Sequence, residues 1–214
     1  MNGIFRDRSE AGQMLAGELM RYADDPDVIV LALPRGGVPV AFEVALALHV
    51  PLDVFMVRKL GTPGQPELAM GAVASGGVRV LNEEVVQKLR IPMAIIDEVT
   101  AEEEQELQRR ERAYRGSISA PEVRGRIVIL IDDGVATGST MRAAIRALRA
   151  QQPARLIVAV PVAAASTYDE MRTKVDECVA LQTPEDFRAV GEWYADFTQT
   201  SDEEVTELLQ RARR

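Results

Sequence analysis

The chain has 214 residues, of which 47% are apolar and 27% charged, so it is long enough to bury the core of one domain. Its 33 acidic residues outnumber 25 basic ones, and the net charge of -8 excludes a broadly basic surface for nucleic acid. The single cysteine excludes an internal disulfide, and no apolar run reaches transmembrane length, so we expect a cytoplasmic protein that does not bind a membrane.

Short aliphatic segments rich in β-branched residues predict buried strands at 28–34, 52–58, 126–132, 154–161 and 175–181. Helical patterns lie between them, in GGVPVAFEVALALH, STMRAAIRALRAQQ and AAASTYDEMRTK. This alternation, with few two-residue hairpin signals, is typical of an α/β fold with a doubly wound, mainly parallel sheet. We therefore expect one domain over residues 1–214.

Two segments interrupt this alternation. Residues 61–81 contain five glycines and two prolines, which predicts a mobile loop leading into a small antiparallel hairpin. Residues 82–116 predict a helical insertion, either on the edge of the sheet or as a packing arm for a partner subunit. Within it Thr100 and Glu103 form a capping-box pattern, and Glu106 precedes Arg110 by four residues. The charged run AEEEQELQRRER is more typical of a solvated helix face than of a binding site.

The segment VILIDDGVATGST, residues 128–140, joins a buried strand to a helix that should begin near Ser139 or Thr140. Ligands of open α/β sheets bind outside the carboxyl ends of the strands, where this loop must lie. A loop of small residues before a helix exposes N–H groups that bind phosphate. The carboxylates of Asp132 and Asp133 would repel that phosphate, but they can accept hydrogen bonds from neighbouring sugar hydroxyls.

This segment resembles the motif with which type I phosphoribosyltransferases bind phosphoribosyl diphosphate (PRPP). The resemblance implies that Asp132 and Asp133 bind the ribose 2'- and 3'-hydroxyls. It implies that the 5'-phosphate is bound by Gly134, Val135, Ala136, Thr137, Gly138, Ser139 and Thr140. The alternative, a strand that ends in an acidic turn before a capped helix, explains the two acids but not the whole pattern.

Two further segments match the same family in the same order along the chain. Arg35, Gly36 and Gly37 follow the first predicted strand, as the family's diphosphate-binding loop does, and their glycines allow a strained or cis peptide. Arg58 and Lys59 end the second predicted strand, where the family places basic residues that contact diphosphate and assist its departure. Without the companion motif, these segments would be an ordinary turn and a solvated strand end.

The glycine-rich segment after Gly61 corresponds to the family's flexible loop, which closes over the active site and excludes water. Glu67 is the ionisable residue of this segment between Lys59 and Arg79. We name it as a candidate catalytic acid or base acting on the nucleophile. The alternative is a solvated loop glutamate.

The acceptor should be bound by a C-terminal hood over residues 183–205, with Phe187 and Trp193 as candidate contacts. Pro184, Phe187, Val190 and Gly191 are similar to the tail of hypoxanthine-guanine phosphoribosyltransferases, in which a phenylalanine stacks on the purine. Packing of these aromatic rings onto the core is the competing interpretation. Enzymes of the hypoxanthine type also have an aspartate where this chain has Ala136, so the motif specifies the donor but not the acceptor.

The resemblance implies a phosphoribosyltransferase that transfers ribose 5-phosphate from PRPP to a nitrogenous acceptor, such as a nucleobase, and releases diphosphate. Magnesium should arrive with PRPP, held mainly by substrate oxygens, and no protein metal site is predicted. The single histidine, His49, is expected to be a surface or capping residue and not a metal ligand.

A homodimer is expected from the family. Alternatives are a non-catalytic PRPP- or nucleotide-binding regulatory protein on this fold, or another reaction of a phosphorylated sugar. Arg58, Lys59 and the lid favour the transferase, since a sensor does not need them.

Overall fold

The computed structural model describes residues 3–116 and 118–213, apart from the side chains of Pro66 and Glu67. Its main sheet is parallel, with strand order β2-β1-β6-β7-β8. These strands are β1 (Val28–Ala32), β2 (Leu52–Val54), β6 (Ile127–Ile131), β7 (Arg155–Val162) and β8 (Glu177–Gln182). A separate antiparallel sheet contains β3 (Val57–Thr62), β4 (Gln65–Ala74) and β5 (Val78–Leu81), in the order β3-β4-β5.

Helices cover both faces of the main sheet because successive side chains of each strand point to opposite faces. Val28 and Val30 of β1 pack on one face, in a cluster with the first, second and last helices, whereas Ile29 and Leu31 pack on the other. The helices are α1 (Arg8–Leu19), α2 (Gly37–Leu48), α3 (Glu83–Leu89), α4 (Met93–Arg115), α5 (Ser139–Ala150), α6 (Ala165–Met171) and α7 (Asp202–Ala212). This confirms the predicted doubly wound fold. Within the described ranges, no helix combines the length and the apolar character needed to cross a bilayer.

The predicted second strand, 52–58, is wrong as a single element. The chain leaves the main sheet after Val54 and enters the small sheet at Val57. Phe55 and Met56 are buried at the crossover, where the Met56 N–H donates to Ser75 Oγ at 2.9 Å. Because the run from Val54 to Val57 is entirely apolar, its pattern cannot reveal that the strand divides. As a consequence, Arg58 belongs to the start of β3 and does not end a strand of the main sheet.

The predicted hairpin is present, but the open loop before it is shorter than expected. β4 begins at Gln65, so only Pro63 and Gly64 connect it to β3. The pair of β3 and β4 is stabilised on one side because Leu60 of β3 and Met70 of β4 are buried in the main core cluster. The glycines of this segment therefore lie mostly within strands and turns of the small sheet.

The insertion at 82–116 contains two helices, and the predicted helix start at Thr100 is wrong. α4 begins at Met93, directly after Pro92, and Thr100 is buried within it. Glu103 forms an ion pair with Arg58 and does not cap the helix. Ile96 and Leu107 anchor α4 in the core. The predicted pair of Glu106 and Arg110 is confirmed, with Arg110 Nε 2.7 Å from Glu106 Oε1.

Candidate functional site

The candidate site lies where β1 and β6 run side by side. The chain proceeds outward from β1 to β2 and later returns to β6 on the other side of β1, so these two strands mark the point at which the strand order reverses. Their ends are in register, with Ala32 opposite Ile131. Ligands of such sheets bind in the crevice at this point. The segments that follow the two strands, 33–37 and 132–140, therefore meet at one place.

The loop after β6 is built to expose its N–H groups. The N–H of Val135 donates to Val162 O and its carbonyl accepts from Ala164 N–H, both at 2.9 Å, and Thr167 Oγ1 donates to Ala136 O at 2.7 Å. These bonds occupy the carbonyls of Val135 and Ala136. Among the residues that the structure describes, none accepts a hydrogen bond from the N–H groups of residues 136–140. These N–H groups end at the N-terminus of α5, which begins at Ser139 as predicted.

Two glycines shape this loop. Gly138 has φ of +71°, which an L side chain rarely adopts, and a Cβ there would lie 2.7 Å from the Thr167 side chain. At Gly134, a Cβ would lie 2.6 Å from the side chain of Val190. The backbone at Gly134 is therefore in contact with the C-terminal segment, and neither position has room for a side chain.

Asp132 and Asp133 lie at the end of β6 in different electrostatic surroundings. Burial, followed by the negative charge of Asp133, raises the pKa of Asp132 well above its usual value. Burial also raises the pKa of Asp133, but Arg8 opposes that effect. Arg8 Nε donates to Asp133 Oδ2 at 2.9 Å, and both side chains are nearly buried. In the ligand-free protein, ionisation of Asp132 is therefore less favourable than ionisation of Asp133.

Arg8 is a site residue that no motif in the sequence predicted. Its Nη1 donates to Thr198 O at 2.7 Å, and its guanidinium lies 4.0 Å from the centre of the Phe197 ring. It therefore links α1, the acidic pair and the C-terminal segment. A local signal does mark the start of α1, because Asp7 accepts a hydrogen bond from Glu10 N–H at 2.8 Å. No local signal marks the contact of Arg8 with Asp133, 125 residues away.

The segment of Arg35, Gly36 and Gly37 passes directly over the acidic pair. A Cβ on Gly36 would lie 2.0 Å from Asp133 Oδ2, and one on Gly37 would lie 2.8 Å from Ile131 O. The Pro34–Arg35 peptide is cis. The N–H of Gly37 donates to Leu33 O at 3.1 Å as α2 begins, so this predicted diphosphate donor is already paired. The glycines are required here because the two backbones are in direct contact.

Arg58 and Lys59 point to opposite sides of β3, as neighbouring residues of a strand must. Arg58 lines the same cavity as Arg35, next to the end of β1. Lys59 is exposed and lines a different cavity, between the small sheet and α5, together with Arg142 and Arg146. The structure therefore brings together Arg35 and Arg58, but not Lys59.

The cavity that contains Arg35 and Arg58 has a volume of about 280 Å³ and will be called the arginine cavity. It is also lined by Arg109, Arg110, Tyr114, Thr140 and Asp202. Arg109 and Arg110 come from the charged run of α4, whose pattern predicted a solvated helix face. Burial, followed by the hydrogen bond to Asp202, raises the pKa of Tyr114 to about 12, so its hydroxyl remains protonated near neutral pH.

The C-terminal end of α4 is held beside β2 by a buried ion pair. Arg115 Nε lies 2.9 Å from Asp53 Oδ1, and Arg115 Nη2 donates to Val54 O at 2.5 Å. The Arg115 side chain is only 3% exposed, and its Nη1 also lies 2.7 Å from Glu111 Oε1. Loss of Arg115 would deprive the buried Asp53 carboxylate of its cationic partner. This anchor, at the residue directly after Tyr114, holds the end of α4 beside the arginine cavity.

The hood contains the N-terminal segment as well as the predicted C-terminal one. Phe5 N–H donates to Trp193 O at 2.9 Å, and Ala195 N–H donates to Phe5 O at 2.7 Å. The Phe187 and Trp193 rings stack on each other, with centroids 6.4 Å apart, and pack against a small core cluster that includes Val162. This arrangement satisfies the packing interpretation; their role as acceptor contacts stays a prediction.

Two other candidates can be placed briefly. The side chain of Glu67 lies outside the described part of the structure, so its catalytic role stays a prediction. His49 is the C-terminal capping residue of α2, with φ of 54°, and its Nδ1 lies 3.0 Å from Asp24 Oδ1 on the surface. His49 is thus a capping residue remote from the candidate site.

Comparison with known proteins identifies the family. The family model of the phosphoribosyl transferase domain matches residues 64–198. Two curated proteins of Mycobacterium tuberculosis, from strains CDC 1551 and H37Rv, have names that describe phosphoribosyl transferases, and each is 47% identical over 211 residues. The match covers 99% of this chain but 47% of each relative, so the chain spans about half the length of the curated relatives it matches.

Solved structures show the same relationship. The crystal structure of TT1426 from Thermus thermophilus is 42% identical, has a TM-score of 0.87 and is matched over 97% of this chain and 98% of that one. AQ2163 from Aquifex aeolicus is similar in fold alone, at 13% identity and a TM-score of 0.51 over 94% of this chain and 84% of that one. With its family model matched over more than half of its length, the chain belongs to the phosphoribosyl transferase family, which confirms the resemblance to type I phosphoribosyltransferases.

Proposed function

We propose that the chain transfers ribose 5-phosphate from Mg-PRPP to a nitrogenous acceptor, such as a nucleobase, and releases diphosphate. One observation carries this proposal. The N–H groups of residues 136–140 have no acceptor among the described residues, and they lie beside two carboxylates where the strand order of the sheet reverses. Such a site can bind a phosphate and a pair of neighbouring hydroxyls at once, which are the groups of a ribose 5-phosphate.

The proposed reaction divides between the two strand ends. The acceptor nitrogen forms a bond to C1 of the ribose while the bond from C1 to the diphosphate oxygen breaks, and diphosphate leaves with the electron pair. Asp132 and Asp133 hold the ribose hydroxyls, and the loop before α5 holds the 5'-phosphate, so C1 stays in one position. Arg35 and Arg58 stabilise the charge that develops on the leaving diphosphate. Lys59 could join them only from the other side of β3.

The residues of the site fit a magnesium ion that arrives with the substrate. Mg²⁺ is usually held by one or two carboxylates together with substrate phosphates and water, and Asp132 and Asp133 supply hard oxygen ligands at the ribose position. Asp132 is partly exposed, and a nearby cation or hydroxyl donor would favour its ionised form. When bound, the ion would neutralise part of the diphosphate charge.

Binding of PRPP can be measured by the thermal stability of the protein with and without magnesium. At a hundredfold excess over the dissociation constant, PRPP should stabilise the folded state by about 2.7 kcal/mol. This corresponds to a rise in Tm of roughly 5 to 10 °C for a chain of this size. Release of diphosphate should then be followed with a panel of purines, pyrimidines and other amines. Absence of any shift would rule out the site, and a shift without turnover would favour the regulatory alternative.

Glu67 provides a separate test of the chemistry. If it acts as an acid or base on the nucleophile, Glu67→Gln should lower kcat by about 100-fold or more, because proton transfer is lost, and should leave the Kd for PRPP nearly unchanged. Single-turnover kinetics and a PRPP titration would separate the two effects. Full activity of Glu67→Gln would show that the residue is a solvated glutamate.

The acceptor-binding site and the homodimer are proposed from the resemblance to the family. Phe187 and Trp193 lie in the hood, which contacts the phosphate loop where Val190 meets Gly134. This contact supports an acceptor position above the ribose. A homodimer is likewise proposed, with the exposed face of α4 as a candidate contact.

A further inference from the structure

The arginine cavity contains more positive charge than the proposed function has used. Arg35 follows β1 and Arg58 lies at the start of β3, whereas Arg109 and Arg110 come from α4. Thr140, the last residue of the phosphate loop, lines the same cavity. A ribose 5-phosphate seated on that loop would therefore have the arginine cavity beside it. In PRPP, the two charged groups lie at opposite ends of the ribose.

Carboxylates of the protein itself pair with these arginines. Glu106 lies 2.7 Å from both Arg109 Nε and Arg110 Nε, and Glu103 pairs with Arg58. Both acids belong to α4, and Glu106 is on the same helix as the arginines that it orients. The two arginines hold the pKa of Glu106 down at about 2, so this carboxylate stays ionised at neutral pH.

Asp202 differs because it reaches the cavity from another element, the first turn of α7. Its Oδ1 accepts a hydrogen bond from the Tyr114 hydroxyl at 2.5 Å and lies 3.8 Å from Arg35 Nη1. The side chain is 62% exposed, so it stands at the entrance of the cavity and can move into solvent. With Asp202 in place, the four arginines are paired with three carboxylates, those of Glu103, Glu106 and Asp202. Without Asp202, the excess of positive charge rises from one to two.

We propose that the arginine cavity binds the diphosphate group of PRPP through Arg109 and Arg110 as well as Arg35 and Arg58, and that Asp202 occupies its entrance until diphosphate displaces it. The inference rests on the proposed function and adds two binding residues and a competing carboxylate to it. α4 is then part of the binding site, and α7 sets how readily diphosphate enters and leaves.

The test is calorimetric titration of the full chain with inorganic diphosphate and magnesium, and separately with ribose 5-phosphate, which lacks the diphosphate. Arg109→Gln and Arg110→Gln should each weaken diphosphate binding by about threefold to tenfold, since each removes a charge-assisted contact at a partly solvated site. Binding of ribose 5-phosphate should change less than twofold. Arg112→Gln is the matched control, because Arg112 is on the same helix but lines a different cavity.

Asp202→Asn should act in the opposite direction and tighten diphosphate binding by about threefold or more, because the competing charge is gone. Glu207→Gln is its control, since Glu207 lies on the same helix and faces Arg211 at 3.8 Å. The arginine variants remove exposed side chains, and their unliganded Tm values will show whether the fold is kept.

The outcomes separate this inference from the proposed function. If the unaltered protein binds neither ribose 5-phosphate nor diphosphate, the proposed function fails. If it binds both, but Arg109→Gln and Arg110→Gln bind diphosphate as tightly as the unaltered protein, only the role of α4 is overturned. If Asp202→Asn binds diphosphate no more tightly, Asp202 does not compete for the cavity. An increase in KM for the acceptor alone would show that the arginines of α4 serve the acceptor.

Discussion

Asp132→Asn is expected to weaken PRPP binding by roughly 10-fold to 100-fold and, in the absence of ligand, to raise the Tm of the protein. The loss of binding follows from the loss of a charged acceptor for the ribose hydroxyls, a contact worth about 1.5 to 3 kcal/mol. The gain in stability follows from burial. Burial and the adjacent Asp133 raise the pKa of Asp132, so its ionised form is unfavourable in the folded state.

The pH dependence of this stability has a definite sign. Because the pKa of Asp132 is raised by folding, the stability that its protonated form contributes is fully present below the unfolded pKa of about 3.9 and is lost as pH rises through the folded value. An asparagine has no such dependence. The difference in Tm between Asp132→Asn and the unaltered protein should therefore be small near pH 4 and widen towards pH 8. At the upper end, Asp132→Asn should be the more stable of the two proteins.

Asp133→Asn is the informative comparison, since its carboxylate has a cationic partner. Its replacement leaves Arg8, whose side chain is only 11% exposed, without that charge. We expect Asp133→Asn to lose both PRPP affinity and stability. Asp132→Asn should lose PRPP affinity but should not lose stability. Thermal unfolding from pH 4 to 8 and PRPP titrations would measure both. A fall in Tm for Asp132→Asn at pH 8 would contradict the proposed electrostatic cost.

Gly36→Ala should abolish PRPP binding to the limit of a titration and destabilise the fold by about 1 to 3 kcal/mol through overpacking. The added Cβ would lie 2.0 Å from Asp133 Oδ2 and 2.6 Å from Asp133 Cγ. Backbone conformation is not the obstacle, since Gly36 has φ of -59°. The carboxylate cannot retreat without breaking its pair with Arg8, so the loop itself must shift away from the ribose position.

Gly17→Ala serves as the control for this substitution. Gly17 is exposed within α1, and a Cβ there would meet nothing within 4 Å. Alanine should stabilise the helix at this position by up to about 1 kcal/mol and leave the Kd for PRPP unchanged. Chemical denaturation and PRPP titration of both variants would make the comparison. Normal PRPP affinity in Gly36→Ala would show that the loop does not lie over Asp133 in the working protein.

The part of the site formed by residues 128–140 could be predicted because all its signals are local. A β-branched run indicates the strand, small residues indicate the loop, and an apolar spacing of three to four indicates the helix. The start of α5 at Ser139 and the strand end at Ile131 agree with that prediction. Arg35 was predicted from the family resemblance, and the structure places it beside this loop because β1 and β6 are neighbours that end at the same edge of the sheet.

Some elements were predicted wrongly where a local pattern had two meanings. A continuous apolar run hid the change of sheet between Val54 and Val57, because such a run does not show which sheet each residue joins. The capping-box pattern at Thr100 was overridden by packing, because Ile96 and Leu107 bury α4 on both sides of that residue. In each case burial in the tertiary structure decided between alternatives that the local pattern left equal.

By itself the sequence determined the parallel sheet, the order of most strands and helices along the chain, and the strand, loop and helix start at 128–140. These features depend on residues that are close together in the sequence. Only the tertiary structure decided that Arg8 pairs with Asp133, that Arg109 and Arg110 face Arg35, and that Asp202 stands among them. These contacts join residues about 70 to 170 positions apart. Their geometry follows from how whole helices pack on the sheet, and no pattern local to either partner records it.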